Sequence, residues 1–137
     1  MPGNFFDTNV LIYLATDDQR KADHVEFLLR AGGVVSVQVL NEITNISRRK
    51  YAMSWKDTFT TLSTVRSYLT VIPITVEIHE SGLRVAERYG FSIYDSFIVA
   101  AALAAECDTL WSEDMQDGMV VDGRLRIINP FRDETAP

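Results

Sequence analysis

Short apolar stretches alternate with longer helical patterns along the chain, and this alternation limits the possible folds more than any other feature. The stretches with strand character are residues 4–7, 34–36, 70–74, 108–112 and 125–130. The segments with helical character are residues 8–15, 17–33, 37–50, 54–69, 75–90 and 90–106. Strands that alternate with helices are typical of βαβ crossovers, in which helices cover both faces of a parallel sheet. We therefore predict a three-layer α/β fold around a central, mostly parallel sheet.

One helical segment, GFSIYDSFIVAAALAAE (residues 90–106), is apolar on nearly every side and carries an acid near its start. A helix of this kind is expected to be buried. The acid, Asp95, would be costly to desolvate there unless a neighbouring group compensates its charge. The segment therefore raises the question of what accompanies Asp95.

The length and composition of the chain fit one globular domain spanning residues 1–137, which is large enough to bury a core. The sequence contains no run of eighteen apolar residues, so no transmembrane helix is predicted. The N-terminal stretch MPGNFFDTNV lacks the basic and apolar regions of a signal peptide. Cys107 is the sole cysteine, which excludes an internal disulfide and fits a reducing compartment. We expect a cytoplasmic protein.

The net charge of −6 argues against a broad basic surface for nucleic acid. A cluster of acids that serves a metal would lower the total without covering the surface. The grouped basic residues are Arg48, Arg49 and Lys50, and then Arg124, Arg126 and Arg132. No aromatic platform with recognisable nucleic-acid spacing is predicted, and Trp55, Trp111 and Tyr94 are expected to pack in the core or at its rim.

Several carboxylates fall where a predicted strand has just ended or a helix has just begun. Asp7 closes the first strand, and Glu42 lies at the rim of the apolar stripe on the helix after the second strand. Asp95 opens the apolar helix, and Asp114 and Asp117 follow the strand that contains TLW. The carboxyl ends of parallel strands share one edge of a sheet, where ligand sites form. We expect these acids to converge there.

Each acid also has a simpler explanation. Asp7 and Asp95 could cap the helices that they precede or open. Glu42 could pair with Arg49 or another nearby base, and the two later acids could be loop residues, since QDG is a turn signal. Such explanations must account independently for several acids at the same edge of the sheet, and this weakens them as a set.

Clustered carboxylates repel one another and cannot all ionise cheaply without a cation. Oxygen ligands without cysteine or histidine suit Mg²⁺ or Mn²⁺ better than zinc; His24 and His79 are isolated and are expected to be solvated. The proposed ligands are Asp7, Glu42, Asp95 and Asp114. Such an ion completes its shell with phosphate oxygens and water, so the sequence predicts phosphodiester hydrolysis in which the metal activates water and neutralises the developing charge.

Four stretches occur in an order and spacing that are specific together, although DTN alone is a weak signal. They are FFDTNVLIY, VLNEI, YDSFIVAAALAAECDTLWSEDMQDG and RIINPF. Through them, over nearly its whole length, the chain resembles the PIN-domain ribonucleases, and specifically the VapC-type toxins of bacterial toxin–antitoxin pairs.

The resemblance implies a PIN-like fold and a Mg²⁺- or Mn²⁺-dependent endoribonuclease that acts on RNA. The family's acidic positions fall on Asp7, Glu42, Asp95 and Asp114, with Asp117 close enough to share or replace the last. Supporting polar positions, which order metal-bound water or phosphate, fall on Thr8, Asn9 and Ser112. The resemblance also implies a homodimer and a cognate antitoxin whose tail enters the active-site groove.

Three other classes of protein share parts of this pattern. A phosphatase of the haloacid dehalogenase class needs a second Asp two residues after the first, where this chain has Asn9. A receiver domain needs adjacent acids after the first strand and a Lys after the last, whereas Asp7 is followed by Thr8 and IINPF has no Lys. A PIN-like module that only binds RNA or a partner is the third, and the intact acidic set argues against it.

Overall fold

The computed structural model describes residues 3–132, so the ends of the predicted domain, residues 1–2 and 133–137, lie outside it. The strands are β1 (Asn4–Phe6), β2 (Val34–Ser36), β3 (Thr70–Ile72), β4 (Thr109–Trp111), β5 (Val120–Val121) and β6 (Leu125–Ile128). The helices are α1 (Thr8–Leu11), α2 (Gln19–Leu29), α3 (Val37–Arg49), α4 (Trp55–Tyr68), α5 (Val76–Tyr89) and α6 (Ile93–Ala104). A 3₁₀ turn (Ile12–Ala15) continues directly from α1.

The sheet has the strand order β3-β2-β1-β4-β6-β5. The neighbours β3-β2, β2-β1, β1-β4 and β4-β6 are parallel, and β5 pairs with β6 in the antiparallel sense. The predicted α/β fold with a mostly parallel sheet is therefore confirmed. The central strand β1 is in register with β4, with Phe6 beside Trp111. This register brings the residues that follow, Asp7 and Ser112, to the same edge.

The core lies between the sheet and the helices, and the apolar helix α6 contributes much of it. From Ile98 to Leu103 every side chain of α6 is buried, as its composition predicts. The helices α5 and α6 pack closely because Gly82 has no side chain: a Cβ there would lie 2.3 Å from Cδ1 of Phe97. This packing fixes α6, and with it the position of Asp95.

Some local predictions were wrong. The predicted helix over residues 8–15 is one α-helical turn followed by the 3₁₀ turn, and β5 was not predicted. Trp55 and Tyr94 were expected in the core or at its rim, but both side chains are more than half exposed.

Among the described residues, no helix combines the length and apolar character needed to cross a bilayer.

Candidate active site

Asp7 is the most buried of the predicted site acids, with 4% of its surface exposed. It lies directly after β1 and is the N-cap of α1, because its Oδ1 accepts a 2.7 Å hydrogen bond from the backbone N–H of Thr8. Its other oxygen, Oδ2, accepts from the hydroxyl of Ser112 at 2.8 Å and from Nδ2 of Asn9 at 3.2 Å. The capping interpretation of Asp7 is thus correct but incomplete, since the same carboxylate also joins the ends of β1 and β4.

Glu42 faces Asp7 from α3. Its Oε1 accepts a short hydrogen bond from the hydroxyl of Thr8, and its Oε2 accepts from Nε2 of Gln38 at 3.3 Å. Gln38 also donates to the backbone carbonyl of Tyr94 at 3.2 Å, which connects α3 to the start of α6. Glu42 therefore bonds Thr8 and Gln38, and the alternative pairing with Arg49 is not what positions it.

Asp95 lies in the first turn of α6 but does not cap it. The cap is Ser92, whose hydroxyl accepts a 3.3 Å hydrogen bond from the backbone N–H of Asp95. The interpretation of Asp95 as a helix cap was therefore wrong, and its half-buried carboxylate is available for another role. Burial raises the pKa of Asp95 above its ordinary range, a hydrogen bond between its carboxylate and the side chain of Ser92 opposes this, and the negative charge of Asp114 adds to it.

The structure separates the two late acids. Asp114 lines the same cavity as Asp7, whereas Asp117 does not. Both oxygens of Asp117 have local partners: Oδ1 accepts from the backbone N–H of Asn129 at 2.7 Å, and Oδ2 lies 2.6 Å from Nη1 of Arg132. These contacts, the backbone bond first, lower the pKa of Asp117. Asp117 therefore fixes the turn after β6 and is not brought into the acidic group, whereas Asp114 lines the cavity with the other three acids.

The four remaining acids line one cavity of about 660 Å³ at the carboxyl edge of the sheet. They come from different parts of the chain and are Asp7, Glu42, Asp95 and Asp114. Burial, together with the negative charges of Asp95 and Glu42, raises the pKa of Asp7 to about 7, against the opposing bonds from Ser112 and Thr8. Mutual repulsion among these groups is the electrostatic problem that a bound cation would solve.

The donors in this cavity fit a hard divalent cation. The lining side chains include carboxylates, hydroxyls and amides but no cysteine or histidine. Among residues 3–132, no three acidic, histidine or cysteine side chains are placed so as to hold one ion directly. Mg²⁺ needs only one or two direct carboxylates and keeps several waters. The set therefore fits Mg²⁺ or Mn²⁺ held partly through water.

The predicted supporting residues lie beside these acids. Thr8 contacts both Asp7 and Glu42. Asn9 bonds Asp7, and its Oδ1 accepts from the backbone N–H of Glu113 at 3.0 Å. Its Nδ2 also lies 3.4 Å from the hydroxyl of Ser112. These side chains hold the carboxylates in place and connect β1 to the loop after β4.

Several residues that line the cavity or bond its lining side chains were not predicted from the sequence. The hydroxyl of Tyr13 donates to Glu113 at 2.6 Å, and Nζ of Lys21 lies 3.0 Å from the same carboxylate. Lys50 and Tyr51, which follow α3, also line the cavity. Lys50 belongs to a basic run that the sequence made visible, but nothing in its spacing indicated that the run ends at the acids.

Comparisons with known proteins support the fold. The family model described as PIN domain matches residues 5–116. The chain is similar to a toxin–antitoxin complex from Klebsiella pneumoniae, with a TM-score of 0.71, 21% identity and coverage of 93% of this chain and 97% of that chain. It is also similar to the sarcin-ricin loop cleaving toxin VapC20 of Mycobacterium tuberculosis, with a TM-score of 0.66, 16% identity and coverage of 81% and 89%.

A third similar structure is VapBC2 from Rickettsia felis bound to a DNA fragment from its promoter, with a TM-score of 0.65, 19% identity and coverage of 90% and 96%. No curated protein matches the chain by sequence. At these identities the structural similarities establish the fold. The family model extends over more than half of the chain and includes Asp7, Glu42, Asp95 and Asp114, so the chain belongs to the PIN domain family.

Proposed function

We propose that the chain is a single PIN domain that acts as a Mg²⁺- or Mn²⁺-dependent endoribonuclease, the toxin of a VapC-type toxin–antitoxin pair. The observation that carries the proposal is the convergence of Asp7, Glu42, Asp95 and Asp114 on one cavity. Burial and the negative charges of Asp95 and Glu42 raise the pKa of Asp7 to about 7, and a bound cation would favour its ionised form. The names of the similar structures, which include a sarcin-ricin loop cleaving toxin, support RNA as the substrate.

The residues of the chain divide the work of such a reaction. Asp7, Glu42, Asp95 and Asp114 would hold the ion, directly or through water. Ser112 and Asn9 fix the carboxylate of Asp7, and Thr8 fixes that of Glu42, so the oxygens are oriented before substrate arrives. When bound, the ion supplies Lewis acidity, which acidifies water and neutralises charge on the phosphodiester. Lys50, on the cavity wall, offers a positive charge to the phosphate.

We also propose that the chain is cytoplasmic, forms a homodimer and is inhibited by an antitoxin. A toxin–antitoxin complex of similar fold supports the antitoxin. Exposed apolar side chains at Val76, Leu83 and Ile93 support an interface between copies. Sedimentation equilibrium should give twice the 15.5 kDa of the chain; a monomer at high concentration would remove the dimer.

Cleavage of RNA with and without divalent metal tests the function. We expect Mg²⁺ or Mn²⁺ to support cleavage, EDTA to abolish it, and sequencing of the new RNA ends to reveal the target. Asp114→Asn should lower the rate by about 100-fold or more, because metal ligation supplies several kcal/mol of transition-state stabilisation. Asp117→Asn is the matched control and should retain activity, since Asp117 bonds Asn129 and Arg132 instead.

Three results would each contradict a part of this proposal. Undiminished cleavage in excess EDTA would remove the metal mechanism. Equal activity of the Asp114→Asn and wild-type chains, with the Asp117→Asn chain impaired, would exchange the roles of the two acids. A folded chain that binds RNA and never cuts it would be the non-catalytic PIN-like module.

A further inference from the structure

The junction between α3 and α4 carries a local charge opposite to that of the chain. Residues 48–59 hold four basic side chains and one acidic side chain, although the chain as a whole has a net charge of −6. The basic side chains are those of Arg48, Arg49, Lys50 and Lys56. We call the surface formed by Arg48, Lys50, Tyr51, Trp55 and Phe59 the aromatic–basic ledge. Because Lys50 and Tyr51 also line the acidic cavity, the ledge begins at the candidate active site.

The ledge contains two groups of rings and cations at contact distance, Lys50 with Tyr51, and Arg48 with Trp55 and Phe59. Nζ of Lys50 lies 5.6 Å from the ring centroid of Tyr51, and Cζ of Arg48 lies 4.2 Å from that of Trp55. The rings of Trp55 and Phe59, one helical turn apart, have centroids 5.9 Å apart and planes 31° apart. Trp55 is 54% exposed and Phe59 is 61% exposed. Rings that pack on cations yet remain open to solvent are surfaces on which further flat groups can stack.

The turn that carries the ledge is held in a fixed shape. The backbone N–H of Met53 donates to the carbonyl of Ser47 at 2.9 Å, and the guanidinium of Arg48 makes a short hydrogen bond to the carbonyl of Met53. Ala52 has a φ of 48°, in the left-handed region that residues with a Cβ rarely adopt. Such strain persists only where the surrounding contacts impose it, and it often accompanies functional surfaces. Tyr51 and Trp55 are therefore presented on a rigid turn.

We propose that the aromatic–basic ledge binds unpaired nucleotides of the RNA substrate beside the bond that is cut. The inference rests on the proposed function. Single-stranded nucleic acid is recognised by aromatic rings on which bases stack and by basic side chains that follow the phosphates. The ledge provides both, and two of its residues, Lys50 and Tyr51, also line the cavity where a phosphodiester would meet the acids. A partner tail that brought a basic side chain to those acids would meet like charge here, so RNA is the better occupant.

The test is the affinity of the full-length chain for a fluorescein-labelled single-stranded RNA oligonucleotide. Fluorescence anisotropy in EDTA measures binding, and a gel run afterwards verifies that the oligonucleotide is intact. We expect Trp55→Leu to weaken binding about tenfold or more, because stacking of a base on an aromatic ring contributes this much. Lys50→Gln should also weaken binding and should lower the slope of log affinity against log salt by about 0.7.

Matched controls separate the ledge from general effects of charge and exposed rings. Arg124→Gln removes the same charge beside the start of β6, at the opposite edge of the sheet, and Phe27→Leu removes a ring on α2 that is 67% exposed and does not line the cavity. Both should bind as the wild type does. The affinity for an RNA duplex should not respond to Trp55→Leu. If the Trp55→Leu chain does not fold, Phe59→Leu provides the same test on the same face of α4.

An affinity within twofold of wild type for both Trp55→Leu and Phe59→Leu would overturn the proposal, as would an equal loss with Phe27→Leu. If the ledge bound a protein partner instead of RNA, both the Trp55→Leu and Phe59→Leu chains would keep the wild-type affinity for the oligonucleotide. Cleavage by the wild-type chain is measured separately. Loss of oligonucleotide binding in Trp55→Leu, in a chain whose wild type cuts no RNA, would support the ledge and reject the nuclease.

Discussion

In the free protein, the hydrogen bonds of Asp7 stabilise the fold, but the ionisation of its carboxyl group is unfavourable. Its hydrogen bonds to Thr8, Asn9 and Ser112 hold the end of β1 to α1 and β4. Burial near two other acids nevertheless makes its ionised form unfavourable. A residue that only capped a helix would not need this environment, because Asn caps about as well as Asp. The unfavourable ionisation of Asp7 is consistent with a carboxylate that is retained to bind a cation.

This opposition predicts a pH dependence for the metal-free protein. The carboxyl of Asp7 has an ordinary pKa of 3.8 and a pKa of about 7 when folded. Below about pH 4 it is neutral in both states; as the pH rises towards 7, the unfolded chain releases this proton first, so the unfolded state is favoured. The free energy of unfolding should therefore fall across this range, by at most about 4 kcal/mol from this group. Asp7→Asn should remove this part of the fall.

Urea denaturation in EDTA at pH 5 and pH 8 measures the effect. The difference in unfolding free energy between wild type and Asp7→Asn is the informative quantity, because the other titrating groups contribute similarly to both chains. It should shift in favour of the variant as the pH rises. A difference that is the same at both pH values would show that Asp7 titrates normally and would remove the electrostatic basis of the site.

At the scale of elements, the contact between α5 and α6 sets the position of Asp95. Gly82 lets α5 approach Phe97, which directly follows the first turn of α6. A methyl group there would collide with the ring, and overpacking costs about 1–3 kcal/mol. The better helix propensity of Ala offsets at most about 1 kcal/mol of this destabilisation.

We therefore expect Gly82→Ala to lower the free energy of unfolding by about 1 kcal/mol, measured by urea denaturation. The collision is with Phe97, so the same substitution should cost less in a Phe97→Leu background. A double-mutant cycle isolates this coupling. If Gly82→Ala stabilises the protein in both backgrounds, the helices have room between them and the close contact does not position α6.

The elements that the sequence predicted well are those with a strong period or composition. The helix α6 is apolar all round, and it is buried as expected. The strand β5 has only Val120 and Val121, within a turn-rich stretch, so it presents no period to detect. Likewise, Ser92 caps α6 and frees Asp95, but Ser92 and Asp95 are both acceptable caps, and only the backbone geometry distinguishes them.

The site was predictable where it follows from strand ends, and not where it depends on long-range contacts. Asp7 and Ser112 follow adjacent parallel strands, which is a property of the topology. The network of Tyr13, Lys21 and Glu113 joins residues far apart in sequence through side-chain geometry alone. The separation of Asp117 from the cavity depends on Arg132 in the same way.

At the scale of the molecule, the uneven distribution of charge matters more than its total. Acids gather in the cavity at the carboxyl edge of the sheet, and the basic run of residues 48–50 ends at the wall of the same cavity. A net charge of −6 therefore does not by itself oppose binding to RNA, because acids of the cavity lie where a cation is proposed and the basic run of residues 48–50 lies beside them.

The four acids are supplied by separate parts of the fold, so the site exists only when the whole domain is folded. They come from the end of β1, from α3, from α6 and from the loop after β4. An ion that binds this arrangement binds the folded state and stabilises it by mass action, by about 2.7 kcal/mol at a concentration one hundred times its Kd. Mg²⁺ or Mn²⁺ should therefore raise the Tm of the wild-type chain by several degrees.

Scanning calorimetry with increasing metal measures this shift, with NaCl at equal ionic strength as the control for screening. The shift should be lost in the Asp7→Asn, Asp95→Asn double variant, which keeps the size of both side chains but removes two charges from the cavity. It should persist in Asp117→Asn, because Asp117 is engaged with Asn129 and Arg132 outside the cavity. An equal rise in Tm for the double variant would place the stabilising ion elsewhere on the protein and would leave the four acids without their proposed role.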